Sequence, residues 1–116
     1  MRSQKEVKAI IRELCFGLKP LFPQGPMDAI LFGSYARGEA DDESDIDVMV
    51  LVDSSRRDIS RKTWEISSVA ADLLLKRGVM VSPIVENRHY FQQHADYLPF
   101  YKNVVQEGVR YSDRVK

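Results

Sequence analysis

The sequence predicts an α/β (α+β) protein, because short apolar segments alternate with amphipathic ones along its 116 residues. Three apolar runs have the length and the bounding turn residues of strands, and they lie at 29–32, 46–52 and 79–85. Helical spacing of apolar residues precedes the first run, separates the second from the third, and follows the third. A chain of this length is expected to form a single domain, residues 1–116, with one hydrophobic core.

Charge and composition narrow the classes of protein to which the chain can belong. Its 17 basic and 17 acidic residues cancel, which gives no bulk electrostatic reason to expect nucleic acid as a direct substrate. The single cysteine, Cys15, cannot form an internal disulfide and fits a reducing compartment. The N-terminus lacks an apolar leader, and no stretch approaches the ~18 apolar residues that a membrane span requires. The sequence therefore predicts a soluble, cytoplasmic protein without a membrane partner.

The first helix is predicted from a capping pattern and from apolar spacing. Ser3 is followed three residues later by Glu6, which is the arrangement of a capping box. Behind it, apolar residues recur at helical spacing: Val7, Ile10, Ile11, Leu14 and Leu18. Three prolines and a glycine within 20–26 end the helix, and the strand 29–32 follows. Ser34 then lies where this strand turns into a short helix.

The middle of the chain predicts a buried strand, a long helix and a second strand. The run 46–52 is apolar on both faces beyond its aspartates, so it should be central in the sheet. Apolar spacing predicts one long helix over 59–77, which Gly78 ends. Pro83 within the run 79–85 is tolerated at an edge, a bulge or a strand end.

The C-terminal part predicts two further helices. Asn87 can cap a short helix that runs through Gln92. Pro99 is a favoured first-turn residue, and it begins a helix that stops at Gly108. Residues 109–111 then form a short extension, to which the pattern assigns no helix or strand.

The most informative segment lies between the first two strands. Asp45 and Asp47 are two residues apart, so on a strand both carboxylates point to one face and can share divalent cations. Mg²⁺ suits such a pair, because it takes one or two carboxylates together with phosphate oxygens. Gly33 lets backbone approach a ligand closely, and the helix start at Ser34 offers free N–H groups to a phosphate. Each element alone is compatible with an ordinary turn, but the combination predicts a nucleotide and metal site.

These residues carry a resemblance to a known family. Gly-Ser-x-x-Arg-Gly at 33–38, followed by Ser-Asp-Ile-Asp at 44–47, resembles the signature of the polymerase-beta-type nucleotidyltransferase superfamily, and the short length points to its minimal nucleotidyltransferases (MNT). The resemblance extends over residues 1 to about 111 and implies a small mixed β-sheet flanked by helices. It also implies that Asp45 and Asp47 are catalytic and hold Mg²⁺ while a hydroxyl attacks the α-phosphate of a nucleoside triphosphate and expels pyrophosphate.

The same resemblance implies nucleotide-binding roles for three residues of the signature. Gly33 and Ser34 would bind the β- and γ-phosphates through backbone N–H and hydroxyl groups. Arg37 either adds positive charge to the triphosphate or orders the loop through an ion pair with Glu39 or Asp41. The sequence leaves both possibilities open.

One part of the family pattern is missing. Active members usually supply a third carboxylate from a later strand, and here Ser82 or Pro83 stands where that acid is expected. The third acid usually serves the metal on the nucleophile side and can act as general base, so its absence affects the chemical step more than nucleotide binding. Glu86 is the candidate substitute, reaching in from the end of the strand.

The function predicted from the resemblance is transfer of a nucleoside monophosphate, AMP from ATP, to a hydroxyl group on a partner protein. By the same resemblance the partner is a small helical HEPN-type protein, and this chain is the antitoxin of the toxin–antitoxin module. The alternative is a catalytically weak or inactive nucleotide-binding module that acts by protein binding, and the missing acid favours it. Antibiotic modification is a third reading, but enzymes of that kind normally bring a larger substrate domain.

Overall fold

The computed structural model describes residues 2–112, which form a four-stranded mixed sheet with helices on both faces. The strands are β1 (Asp28–Phe32), β2 (Ile46–Val52), β3 (Val81–Asn87) and β4 (Val109–Ser112), and the helices are α1 (Gln4–Leu18), α2 (Ser34–Arg37), α3 (Arg56–Arg61), α4 (Thr63–Arg77), α5 (Arg88–His94) and α6 (Pro99–Glu107). The strand order is β3-β2-β1-β4, with β1 antiparallel to β2 and β4, and β2 parallel to β3. The predicted fold class is confirmed. Across residues 2–112, every helix is too short or too polar to span a bilayer.

Strand β2 is central and is buried on both faces. Ile46, Val48 and Val50 belong to a core that α1 and α4 cover on one side of the sheet. Met49 and Leu51 belong to a second core on the other side, which α5 and α6 close. Both faces of this strand need apolar residues because helices exclude water from both. The central position predicted for the strand is confirmed.

The first helix begins as predicted. The Ser3 hydroxyl accepts a hydrogen bond from the Glu6 backbone N–H at 3.1 Å, which satisfies one of the free donors of the first turn. The apolar residues that predicted the helix are all buried: Val7, Ile10, Ile11, Leu14 and Leu18. Burying a side chain of this size contributes about 1.5–3 kcal/mol, so this apolar stripe fixes α1 against the sheet.

The single long helix predicted over 59–77 is wrong, because two helices occupy this stretch. The first begins earlier than predicted, where the Ser55 hydroxyl accepts from the Asp58 backbone N–H at 3.1 Å. The break falls at Lys62, whose backbone leaves the helical region at φ −104° and ψ 15°. Its ammonium group donates to the Leu21 carbonyl at 2.5 Å. Apolar spacing continues across the break, and periodicity alone therefore hid it.

The later strands differ from expectation at their ends. The sequence predicts the third strand over 79–85, but β3 spans Val81–Asn87, because buried Glu86 extends the pairing beyond the apolar run. Pro83 lies on this edge strand, as its chemistry allows. Asn87 caps α5 as predicted, since its side chain accepts from the Tyr90 backbone N–H at 2.8 Å. The extension at 109–111 is part of β4, which pairs with β1.

Candidate active site

The site lies where β1 ends and β2 begins. In the antiparallel register Phe32 is opposite Asp47, so Gly33, one residue beyond β1, lies beside the first residues of β2. Asp45 immediately precedes β2 and is exposed, whereas Asp47 is half-buried. The structure therefore brings the glycine turn and the aspartate pair together, although the two are more than ten residues apart in the chain.

Gly33 is required by backbone conformation and by space. Its φ of +78° with ψ of −155° is a backbone conformation that residues other than glycine rarely adopt. A Cβ at this position would collide with the Asp47 Oδ2 atom and lie 3.2 Å from its Cγ. The carboxylate of Asp47 thus packs directly on the glycine backbone, which holds it at the mouth of the site.

The electrostatics of the aspartate pair favour a bound cation. Burial raises the pKa of Asp47, the neighbouring Asp45 charge raises it further, and Arg37 partly opposes the shift. A divalent ion between the carboxylates would offset this repulsion. Within residues 2–112 there is no cluster of three or more His, Cys, Asp or Glu side chains suited to a metal. Two carboxylates fit a divalent cation that also binds phosphate oxygens and water.

Ser82 occupies the place of the expected third acid. The parallel pairing of β2 and β3 sets Ser82 directly beside Asp47 and Pro83 beside Val48. A serine hydroxyl carries no charge for a metal and is a weak base at neutral pH. This strand therefore adds no carboxylate beside Asp47.

Glu86 cannot substitute for that acid, and the prediction that it reaches the site is wrong. It lies opposite Leu51, four residues farther along the strands than the Ser82 pairing, a separation of about 13 Å at strand spacing. Its carboxylate accepts from Tyr101 Oη at 2.5 Å and from Arg56 Nε at 3.2 Å. Glu86 thus anchors the far end of the sheet.

Arg37 lies at the edge of the site within two ion pairs. Its Nε donates to Glu39 Oε1 at 2.9 Å, which is the loop-ordering pair that the sequence left open. Its Nη1 donates to Glu107 Oε2 at 3.3 Å. Asp41, the other candidate partner, instead accepts from the Ser44 hydroxyl at 3.1 Å. Arg37 remains exposed, so its charge is available to an incoming anion.

Glu107 is a residue of the site that the sequence analysis missed. Its Oε2 atom accepts from the Gly33 backbone N–H at 2.8 Å, across 74 positions of the chain. The pairing of β4 with β1 creates this contact, because Leu31 lies opposite Val109 and the end of α6 is thereby set beside Gly33. No local pattern around Glu107 signals it, and only assignment of 109–112 as a strand could have suggested it.

Comparison with known proteins identifies the family. A family model described as a nucleotidyltransferase domain matches residues 7–111, which include every residue of the candidate site described above. The chain belongs to the nucleotidyltransferase family. Two relatives from Methanocaldococcus jannaschii carry the names "putative protein adenylyltransferase MJ0604" and "putative protein adenylyltransferase MJ0141". The first is 37% identical over 93% of this chain and 96% of its own length, and the second is 35% identical over 69% and 79%.

A solved structure supports the fold of this nucleotidyltransferase. It is described as a toxin–antitoxin with AMP-PNP, and it matches 89% of this chain and 70% of its own with a TM-score of 0.56 at 24% identity. The predicted resemblance to MNT-type nucleotidyltransferases and the predicted enzyme class are confirmed. The roles of Gly33, Ser34, Arg37, Asp45 and Asp47 stay predictions, to which the geometry above gives a physical basis.

Proposed function

We propose that this nucleotidyltransferase transfers AMP from ATP to a hydroxyl group on a partner protein, with Mg²⁺ as its cation. The observation that carries the proposal is the contact between the Gly33 backbone and the Asp47 carboxylate, with Asp45 beside it. A phosphate-binding turn and a cation-binding pair are thereby adjacent. The names of the relatives support adenylyl transfer to protein, and the neighbour with AMP-PNP supports nucleotide binding.

In the proposed reaction, the residues of the glycine turn and the aspartate pair would face the phosphates of ATP. The acceptor hydroxyl oxygen bonds to the α-phosphorus, the bond to the bridging oxygen breaks, and pyrophosphate leaves with that electron pair. Asp45 and Asp47 would hold the cation, which neutralises phosphate charge when bound. The Gly33 N–H and the Ser34 hydroxyl would bind the β- and γ-phosphates, and Arg37 would add positive charge. The hydroxyl proton passes to solvent or to a carboxylate of the pair, since Ser82 is no base.

The partner proposed as acceptor is a toxin. The toxin–antitoxin neighbour supports such a pair, and we propose a small helical HEPN-type protein, acting in the cytoplasm, with this chain as its antitoxin. The zero formal charge supports a protein acceptor over nucleic acid, because it provides no attraction for a polyanion.

Ser82 beside Asp47 favours a second candidate function. Without a third carboxylate, activation of the acceptor hydroxyl is weakened while nucleotide binding is retained. In this second proposal the chain neutralises its partner by association, and the bound nucleotide regulates that association. Replacing Ser82 with aspartate tests the difference directly.

The deciding experiment incubates the full chain with α-labelled ATP, Mg²⁺ and the protein encoded by the adjacent gene. We expect label on the partner with wild type, none with Asp45→Asn/Asp47→Asn, and unchanged labelling with Glu43→Gln, a control in the same acidic loop. Ser82→Asp is expected to label faster. Absence of label from wild type and from Ser82→Asp, despite tight association with the partner, would reject transfer and support the binding module.

A further inference from the structure

The Glu107 carboxylate occupies groups that the proposed function assigns to the triphosphate. It accepts from the Gly33 N–H at 2.8 Å and pairs with Arg37 Nη1 at 3.3 Å, using the same oxygen for both. We propose that Glu107 sets the affinity of the nucleotide site by standing in for a phosphate oxygen, so that the nucleotide binds only after displacing it. This inference rests on the proposed function.

A carboxylate oxygen and a phosphate oxygen compete because both are anionic acceptors. One backbone N–H points in one direction and makes one good hydrogen bond at a time. A triphosphate that approaches Gly33 also meets the negative charge of Glu107, which repels it at short range. Arg37 would remain beside the incoming phosphate and exchange one anion for the other. Glu107 therefore opposes binding through an occupied donor and through charge.

The surroundings of Glu107 allow the side chain to leave while the backbone stays. Glu107 is the last residue of α6, and its side chain is 28% exposed. The next residue is fixed, since the Gly108 N–H donates to the Val104 carbonyl at 2.8 Å and a Cβ at Gly108 would collide with Ile30 Cγ2. A carboxylate at a helix C-terminus is also unfavourable in the helix dipole. Rotation of one side chain is then sufficient to open the donor.

The size of the effect follows from the exposure of the contact. A charge-assisted hydrogen bond that is partly open to water favours the conformer in which Glu107 contacts Gly33, over the conformer in which it does not, by a factor of roughly 3 to 10. The apparent dissociation constant of the nucleotide is raised by about the same factor, because the nucleotide binds only the conformer in which Glu107 has left Gly33. Removing the Glu107 carboxylate should therefore tighten ATP binding roughly 3- to 10-fold.

The test compares calorimetric titrations of Glu107→Ala, Glu107→Gln and wild type with ATP and Mg²⁺, and with inorganic triphosphate. Glu39→Gln is the matched control, because Glu39 pairs with Arg37 at 2.9 Å but is not the acceptor of the Gly33 N–H at 2.8 Å. We expect Glu107→Ala to bind both ligands roughly 3- to 10-fold more tightly, and Glu39→Gln to change binding less than about twofold. Adenosine, which lacks phosphates, should bind all variants equally.

The outcomes separate the two proposals. If wild type binds ATP and a folded Glu107→Ala variant binds it equally or more weakly, the proposed role of Glu107 is overturned. The proposed function then still stands. No ATP or triphosphate binding by any variant overturns both. If Glu107→Ala does not fold, Glu107→Gln preserves the size of the side chain and removes its charge, and unchanged affinity in that variant overturns the inference.

Discussion

Replacing Gly33 with alanine should reduce the stability of the fold and disturb the proposed cation site. The new Cβ enters a backbone conformation with φ +78° and ψ −155° and collides with Asp47 Oδ2. The carboxylate must therefore move, or the turn must change shape. Either response separates the glycine turn from the aspartate pair.

The loss of unfolding free energy in Gly33→Ala has two contributions. The backbone region alone costs a residue with a Cβ about 1–3 kcal/mol. Displacement of the packed carboxylate adds about 1–2 kcal/mol, typical of overpacking at a tight contact. We expect Gly33→Ala to lower the free energy of unfolding by about 2–5 kcal/mol. Gly38 is the matched control, because its φ is +73° but a Cβ there meets nothing within 4 Å, so Gly38→Ala should cost only about 1–2 kcal/mol.

Urea unfolding followed by circular dichroism measures these free energies, and a double variant isolates the collision. Asp47→Ala removes the colliding oxygen, so Gly33→Ala should cost less in that background than in wild type, by about 1–2 kcal/mol. Mg²⁺ binding, measured by calorimetry, should weaken in Gly33→Ala and remain unchanged in Gly38→Ala. Equal losses for the two glycines, with no coupling to Asp47 and unchanged Mg²⁺ binding, would contradict the predicted collision.

Two further predictions concern charge. Burial, followed by the neighbouring Asp45 carboxylate, raises the pKa of Asp47 above its ordinary value of 3.8. The stability that protonated Asp47 contributes is therefore fully present below pH 3.8 and is lost as pH rises through the raised pKa. In chelator, urea midpoints should therefore shift in favour of Asp47→Asn between about pH 3 and pH 7, and parallel curves would contradict this. Arg88→Met breaks a pair with Asp28, whose side chain is 3% exposed, and should cost about 3 kcal/mol. Arg77→Met breaks the more exposed pair with Glu13 and should cost at most about 1 kcal/mol, and equal thermal shifts would argue against a buried pair at Arg88.

Local sequence patterns predicted most of the fold and the central residues of the candidate site. The spacing of Asp45 and Asp47 and the glycine turn are features of contiguous residues, and the strand pairing needed only to bring them together. Helix α1 was predictable from the helical spacing of its apolar residues, and strand β2 from a short continuous apolar run bounded by polar residues. The extent of the domain, residues 1–116, stays a prediction.

The remaining features depend on contacts between distant residues. The break at Lys62 is accompanied by a bond to the Leu21 carbonyl, which apolar spacing does not encode. Glu86 is polar in sequence but buried in the fold, where Tyr101 and Arg56 satisfy it, and it therefore extends β3 instead of serving the site. Glu107 reached the site only because a short C-terminal segment forms a strand.

The pairing of β4 with β1 has a consequence for the order in which the protein folds and opens. It joins Asp28 to Ser112, residues that are 84 positions apart (112 − 28), whereas β1 and β2 are neighbours in sequence. Closing so long a loop costs entropy before its contacts form, so we expect the antiparallel hairpin with the aspartate pair to precede β4 in folding. In the native state the last element to dock tends to be among the first to undock. Transient release of β4 would then carry Glu107 away from Gly33 while Asp45 and Asp47 stay in place, and hydrogen exchange should show weaker amide protection in β4 than in β2.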